Sequence, residues 1–526
     1  MQTVRSRIWK PVAGALVIGG PAYYTYSVYS RPTFELPIKV AGPDGKTQMS
    51  TKTLPLLPMQ TVNERLHQNA TSETVSRPYG ITWKHTTASL SSNDPLEDAN
   101  SHQIIERDDA FSANSPGDFL FFNVFDGHRG PETSRLLSRI LINAVALELS
   151  QLANSTAALN TKGLTSKLFG SSTSSSLSAP EPEAVSLTIE KAFTKLDSLL
   201  MDAPISILQN HLKGRSPKDM TIPDLSKDPQ GMSAMLAAVS GSCALVTLID
   251  TAQRDLYVAL AGDCRAVAGV WEPTQDGKGI WKVDVLTEDQ TGRNPSEVKR
   301  IKSEHPPDEA EYVVKNGRIL GGLEPSRAFG DARYKWNAQT QELLNQVYMV
   351  GNGTPLRKAP LTLKTPPYVT AKPVVTHRKL DFENPASLRF MVIATDGLWD
   401  ELSSEEVVSL VGGHLAGLKG TISKDQLPSL VPTSTANAGL DGKPHIQKKG
   451  SGSWAFVDEN VSSHLIRNAL GGGDEMALRK RVSIPAPYSR RYRDDITVTV
   501  VWWEHGKENQ PNVSSLSSNE PVKSKL

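Results

Sequence analysis

"CALVTLIDTAQRDLYVALAGDCRAVAGVW", residues 243–271, holds three apolar runs at 243–249, 256–261 and 265–271. Each has the length and residue content of a strand, and polar or glycine-containing turns separate them. Six residues divide the first pair and three the second, too few for the crossover that parallel neighbours need. Both junctions therefore predict antiparallel hairpins. Further strand candidates stand at 119–125 (FLFFNVF), 389–395 (RFMVIAT) and 496–503 (ITVTVVWW). A helix is signalled at 131–152, where Leu137, Ile140, Leu141, Val145 and Leu149 recur at helical spacing and Pro131 suits a first turn. Similar patterns occur at 404–411 and 461–470. Strands in antiparallel pairs with helices in separate blocks predict a layered α+β domain, not an alternating doubly wound one.

The 526-residue chain carries 57 Lys and Arg against 56 Asp and Glu, a formal charge of +1, so no global charge excess points to nucleic acid. Its two cysteines, Cys243 and Cys264, exclude a disulfide framework and a Cys-rich zinc site. Residues 1–34 differ from the rest. Arg5, Arg7 and Lys10 precede the first carboxylate, Glu35, and the uncharged stretch 11–29 has roughly the length of a bilayer span. This combination fits a mitochondrial targeting segment with a membrane anchor; a secretory signal-anchor and a plain apolar arm are the alternatives. Residues 35–78 read as a Pro-containing linker, 79–503 as the folded domain, stretches near 153–183 and 412–455 as mobile loop insertions, and 504–526 as a disordered tail.

Acids recur where apolar runs end or begin. "FFNVFDGHRG" (121–130) ends its run on Asp126, "MVIATDG" on Asp396, and "RYRDDITVTVV" opens on Asp494 and Asp495. Gly127 and Gly397 follow two of these acids, permitting a tight turn and the close approach of a backbone carbonyl to an ion. A single Asp-Gly is an ordinary turn dipeptide. Three such sites, together with Glu97, Asp98, Asp263 and Asp331, form the oxygen-rich set that Mg²⁺ or Mn²⁺ prefers.

The motifs "PLEDAN", "FNVFDGHRG", "GSCALVTLI", "AGDCRAVAG", "LTEDQTGRNPSEVKRI", "GGLEPSRAFGD", "VIATDGLWD" and "RDDITVTVV", in this order over roughly 79–503, resemble the type 2C metal-dependent protein serine/threonine phosphatases. "NPSEVKRIKSEHP", "RAFGDARYKW" and "SSHLIRNAL" are most similar to the mitochondrial pyruvate dehydrogenase phosphatase branch. The resemblance implies a four-layer α-β-β-α sandwich, two central antiparallel sheets flanked by helices, with two Mg²⁺ or Mn²⁺ ions at one end. It implies that Asp126 bridges the ions, that the Gly127 carbonyl binds one, and that Asp396 and Asp494, rather than Asp495, complete the other. Glu97 and Asp98 would sit behind these ligands, Glu97 holding a water, and Asp263 and Asp331 would serve a third, weaker ion.

The implied chemistry is hydrolysis of phosphoserine and phosphothreonine by an activated water with no phosphoenzyme, two ions about 3.5–4 Å apart clamping the phosphoryl group. His128 is the candidate general acid for the alkoxide leaving group, its ordinary pKa near 6.5 suiting that task. Asn93 stands where many relatives place a phosphate-gripping arginine, and the branch resembles this chain in having Asn there. Arg129 is a candidate substitute. Gln290 replaces the family's usual histidine. The expected substrate is a mitochondrial phosphoprotein such as the E1 component of pyruvate dehydrogenase, met in the matrix or at an inner membrane facing the intermembrane space. A catalytically silent phosphoprotein-binding relative is the alternative, but it has no need of clustered carboxylates. An aspartyl nucleophile usually has a second aspartate two residues on, where this chain has His128, and no Gly-rich Lys-Ser/Thr phosphate loop occurs.

Overall fold

The computed structural model describes residues 32–41, 46–76, 81–106, 117–165, 180–214, 221–275, 279–384, 386–435 and 452–505. The expected anchor at 11–29, and the tail from 506 onward, lie outside the described residues. Two sheets stack face to face. The first runs Val374–Lys379, Asp255–Ala261, Gly241–Asp250, Asp118–His128 and Ala99–Glu106, antiparallel throughout this path. The second runs Thr433–Thr435, Gly279–Val285, Arg265–Pro273, Leu388–Ala394, Ile496–His505, Ile81–Leu90 and Thr71–Ser76, antiparallel except at its first pair.

Residue alternation distributes each strand between two cores. Leu120, Phe122 and Val124 pack between the sheets with Ala266, Ala268, Met391, Ile393 and Val501. Phe121 and Phe125 face outward under Leu137, Leu141, Val145 and Leu149 of helix Glu132–Thr165 and Phe193 of helix Pro182–Leu212. On the far side Val392, Val498 and Val500 meet helices Ser404–Leu415 and Val461–Leu470. The result is the four-layer sandwich. Because both faces of the central strands are buried, they read as unbroken apolar runs instead of alternating ones. Among the described residues Glu132–Ala153 is long and apolar enough to cross a membrane, but here its apolar stripe covers the first sheet.

Several expected boundaries move. The 250–255 junction is a hairpin, but the 262–264 junction is not: Asp255–Ala261 and Arg265–Pro273 belong to different sheets. The chain crosses the sandwich there, and Gly262 permits it with φ +123 and room for no Cβ, which would meet Cys243 Sγ at 2.3 Å. Residues 35–78 are not a bare linker. They contain most of a hairpin, Thr33–Ala41 with Thr47–Pro55, then helix Met59–His67 and the edge strand Thr71–Ser76, so the sandwich begins before residue 79. Among its described side chains the hairpin fully buries Leu36 and Leu54, against Ile484, with Phe34 and Ile38 partly buried beside them, so its sequence carries no strong apolar pattern. Tyr492 Oη fastens it by donating to the Pro37 carbonyl at 2.6 Å.

The insertions are partly regular as well. The first helix continues to Thr165, and in the second stretch Gly420–Ser423 pairs with Ser453–Phe456, carrying Ile422, Trp454 and Phe456 into the core. Residues 166–179 and 436–451 lie outside the described residues.

Candidate active site

The acids singled out in the sequence meet at one end of the sandwich. Asp126 lies near the end of Asp118–His128, opposite Cys243 on one neighbouring strand. Asp98 immediately precedes Ala99–Glu106, and Asp263 sits on the turn that crosses between the sheets. From the second sheet come Asp396, opening a short helix after Leu388–Ala394, and the doublet Asp494 and Asp495, just before Ile496–His505.

Burial and mutual repulsion shift several of them in the same direction. Burial pushes the Asp126 carboxyl well above the usual carboxylate range, and Asp396, Asp98 and Asp263 push it further. Asp98 is raised by burial and then by Asp495, although Thr395 Oγ1 donates to it at 2.9 Å. Glu97 is raised chiefly by burial and accepts the Gly130 N–H at 2.6 Å. Carboxyls that oppose one another's ionisation in a buried site call for a cation. Oxygen donors of this kind fit Mg²⁺ or Mn²⁺. Arg490 provides some of the balancing charge from the chain itself: it pairs with Asp494 and favours the ionised forms of Asp126 and Glu97.

The two Asp-Gly steps do a different job from the expected tight turn. A Cβ on Gly127 would lie 2.1 Å from the Glu97 carbonyl oxygen, and one on Gly397 2.1 Å from that of Asp495. Neither glycine adopts a positive φ. Each is small so that a neighbouring acidic segment can lie directly against it.

Asp495 gives the sequence reading its largest addition. It is 3 % exposed and accepts from the N–H groups of Ser92, Asn93 and Glu97 and from the Asn93 side-chain amide. Asn93, expected at the substrate phosphate, donates that same amide to Glu97 Oε2 as well, at 3.0 Å. Its contacts are those of a residue that positions Glu97. His128 Nε2 lies 2.7 Å from Asp331 Oδ2. Burial works against protonation of this imidazole, but Asp331 and then Asp263 outweigh it and raise its pKa. Asp331 is fully buried in a left-handed backbone conformation, φ 55, and is aimed at His128. Asp263 accepts the Cys243 thiol at 3.1 Å. Gln290 closes off the crossing turn, accepting the Gly262 N–H at 2.8 Å and donating to the Leu260 carbonyl at 3.0 Å. Arg490, Thr395 and the buried role of Asp495 were not read from the sequence. The adjacent acids of "RDD" were the one available signal.

Comparison with known proteins gives the family. A family model described as protein phosphatase 2C matches residues 201–425. The chain is 37% identical over 479 residues to the mitochondrial pyruvate dehydrogenase phosphatase 1 of Saccharomyces cerevisiae, covering 87% of this chain and 74% of that one. A protein phosphatase 2C homologue of Schizosaccharomyces pombe is 35% identical over 84% of this chain and 85% of its own. The mitochondrial pyruvate dehydrogenase phosphatase 2 of Homo sapiens is 38% identical over 51% of this chain and 49% of its own. The chain belongs to the protein phosphatase 2C family, within its pyruvate dehydrogenase phosphatase branch. It is a metal-dependent protein serine/threonine phosphatase acting on phosphoprotein substrates.

Proposed function

We propose that Asp126, the Gly127 carbonyl, Asp396 and Asp494 hold two Mg²⁺ or Mn²⁺ ions, and that this site dephosphorylates the E1 component of pyruvate dehydrogenase. The observation that carries the metal assignment is the buried convergence of Asp126 with Asp98, Asp263 and Asp396. Bound there, two hard divalent ions supply charge neutralisation for the phosphoryl oxygens and an activated water. The chain's own residues do the rest. Asp98 and Glu97 back the ligand set, Asp495 and Asn93 fix the loop that carries them, and His128 holds the proton for the departing alkoxide. Asp331 orients that imidazole, a role its 2.7 Å contact favours over a third ion.

The rim of the cleft suits an anionic partner. Arg129, held at φ 62 beside His128, lines a small cavity with Arg333 and Arg357. Burial, with the like charges of Arg129 and Arg357, lowers the Arg333 pKa, so the three guanidiniums crowd one another. The names of the relatives support pyruvate dehydrogenase as substrate and a mitochondrial location. The proposed inner-membrane anchor at residues 11–29 rests on the length and lack of charge of that stretch alone.

The test is hydrolysis of phosphorylated E1 and of a generic phosphopeptide with added Mn²⁺ or Mg²⁺, comparing the wild type with Asp126→Asn. Metal-dependent activity lost in the variant is expected; an unchanged rate refutes the ligand assignment. Equal kcat/KM on both substrates removes E1 as the preferred one. Protease protection in isolated mitochondria reads the compartment: a matrix-protected domain is required for E1, and a domain cleaved from the intermembrane space excludes it.

A further inference from the structure

Away from the acidic cleft, the two sheets approach each other at an edge, and a second group of ligand-type side chains gathers there. Glu73 lies on Thr71–Ser76, directly opposite His85 on Ile81–Leu90. His102 comes from Ala99–Glu106, the edge strand of the other sheet. His102 Nε2 is 3.2 Å from Glu73 Oε1, and His85 Nε2 is 3.9 Å from Glu73 Oε2. The imidazole centroids are 4.5 Å apart, and one donor atom from each residue lies within 4.8 Å of the others.

His85 supplies the decisive detail. Its side chain is 4% exposed, rests on the Phe122 ring at 5.1 Å, and its Nε2 has no hydrogen-bond partner. A buried polar atom in that state is costly unless something answers it. Burial, and then His102, lower its pKa to about 4, so the imidazole is neutral and its nitrogen able to act as a ligand near pH 7.

We propose that Glu73, His85 and His102 form a binding site for one divalent ion of the zinc class, with a fourth coordination position open to solvent. Two imidazoles and one carboxylate match Zn²⁺ and disfavour Mg²⁺, which the all-oxygen cleft suits. Metal–ligand distances of about 2.0–2.2 Å in a tetrahedron put ligand atoms roughly 3.3–3.6 Å apart. The wider of the present separations close by movement of Glu73 and His102, whose side chains are 45% and 37% exposed, while buried His85 stays in place. The ion would join three strands from both sheets, and one of them begins immediately after Asp98.

The test uses the full chain, stripped of metal by a chelator and then kept in excess Mg²⁺ to occupy the acidic cleft. Zn²⁺ is titrated in competition with a chromophoric chelator, and thermal unfolding is followed with and without Zn²⁺. One equivalent is expected to bind to the wild type, at least about 10-fold to 100-fold more weakly to Glu73→Gln and His102→Ala. Zn²⁺ is expected to raise the wild-type Tm by about 2 °C or more and to leave those of the variants unmoved. Both substituted side chains are substantially exposed, and the Tm without Zn²⁺ verifies that the variants fold. No binding by the wild type, or equal binding by wild type and variants, overturns the site.

Discussion

Asn93 and Asp495, 402 positions apart, are joined twice: the Asn93 N–H reaches Asp495 Oδ1 at 2.9 Å and its side-chain amide reaches Oδ2 at 3.0 Å. The neighbouring Asp494 is a quarter exposed and pairs with Arg490. The two acids of the doublet should therefore fail differently. Asp495→Ala leaves four donors unanswered and is expected to lower stability by about 3 kcal/mol or more. Asp494→Asn is expected to shift the Tm by no more than about 2 °C while raising the Mn²⁺ concentration for half-maximal activity at least ~10-fold. Equal Tm losses for the two variants would contradict this division of labour.

His128 and Asp331 predict a dependence on the leaving group. An aryl phosphate leaves without needing a proton, whereas a seryl alkoxide needs one. His128→Ala is expected to slow phosphopeptide hydrolysis by about 10²–10⁴-fold and aryl phosphate hydrolysis far less. Asp331→Asn should show the same ordering with smaller losses. A parallel loss on both substrates would remove the imidazole from proton donation.

Gly241 is a third target. A Cβ there would lie 2.1 Å from His128 Nε2 and 2.4 Å from Asp331 Oδ2. Gly241→Ala must push that pair apart, so kcat on a phosphopeptide is expected to fall at least ~10-fold. Measured turnover close to that of the wild type would mean that the pair relaxes without cost.

A pH measurement can isolate one buried group. His464 is fully buried, and burial, then His414, lower its pKa to about 3. The unfolded chain takes up that proton near pH 6.5, so between 6.5 and 3 the unfolded state binds more protons and stability falls with pH. At pH 4.5 the imidazole should cost roughly 2–3 kcal/mol relative to pH 7. His464→Met removes this contribution. Its urea midpoint should therefore gain on that of the wild type as the pH drops; a constant difference between the two proteins would rule the effect out.

Arg357 tests the basic rim. Its guanidinium makes no ion pair among the described residues, and its carbonyl accepts from Arg333 at 2.9 Å, so Arg357→Ala keeps the backbone contact. The variant is expected to raise KM for a phosphoprotein by about 3-fold to 10-fold and to leave kcat on an aryl phosphate within 2-fold, as about 1 kcal/mol of binding implies. An unchanged KM places the substrate elsewhere.

What could be read beforehand depended on burial. The strands carrying Asp126 and Asp396 are covered on both faces and stand out as apolar runs, so their end positions, and the acids there, were visible. The Thr33–Ala41 hairpin was not, because Leu36 and Leu54 are its buried apolar side chains. The crossing at Gly262 looks like any short turn until strand pairing assigns its flanks to different sheets. Asp494 and Asp495 are chemically identical neighbours, and only the hydrogen bonds to Ser92, Asn93 and Glu97 show which one is buried and which one lies against Arg490.

The strand Ile496–His505 has a consequence for the order of assembly. Ile496–His505 lies in the interior of the second sheet, between Leu388–Ala394 and Ile81–Leu90, and the acids just before it complete the cleft. A chain growing on a ribosome, or drawn through a translocase N-terminus first, can assemble most of the first sheet and its helices long before those residues arrive. Until then the loop bearing Glu97 and Asp98 lacks the hydrogen bonds that Asp495 accepts from Ser92, Asn93 and Glu97, and Asp494 is missing from the proposed ligand set. On the proposed ligand assignment, the cleft is complete only once Ile496–His505 has joined the second sheet.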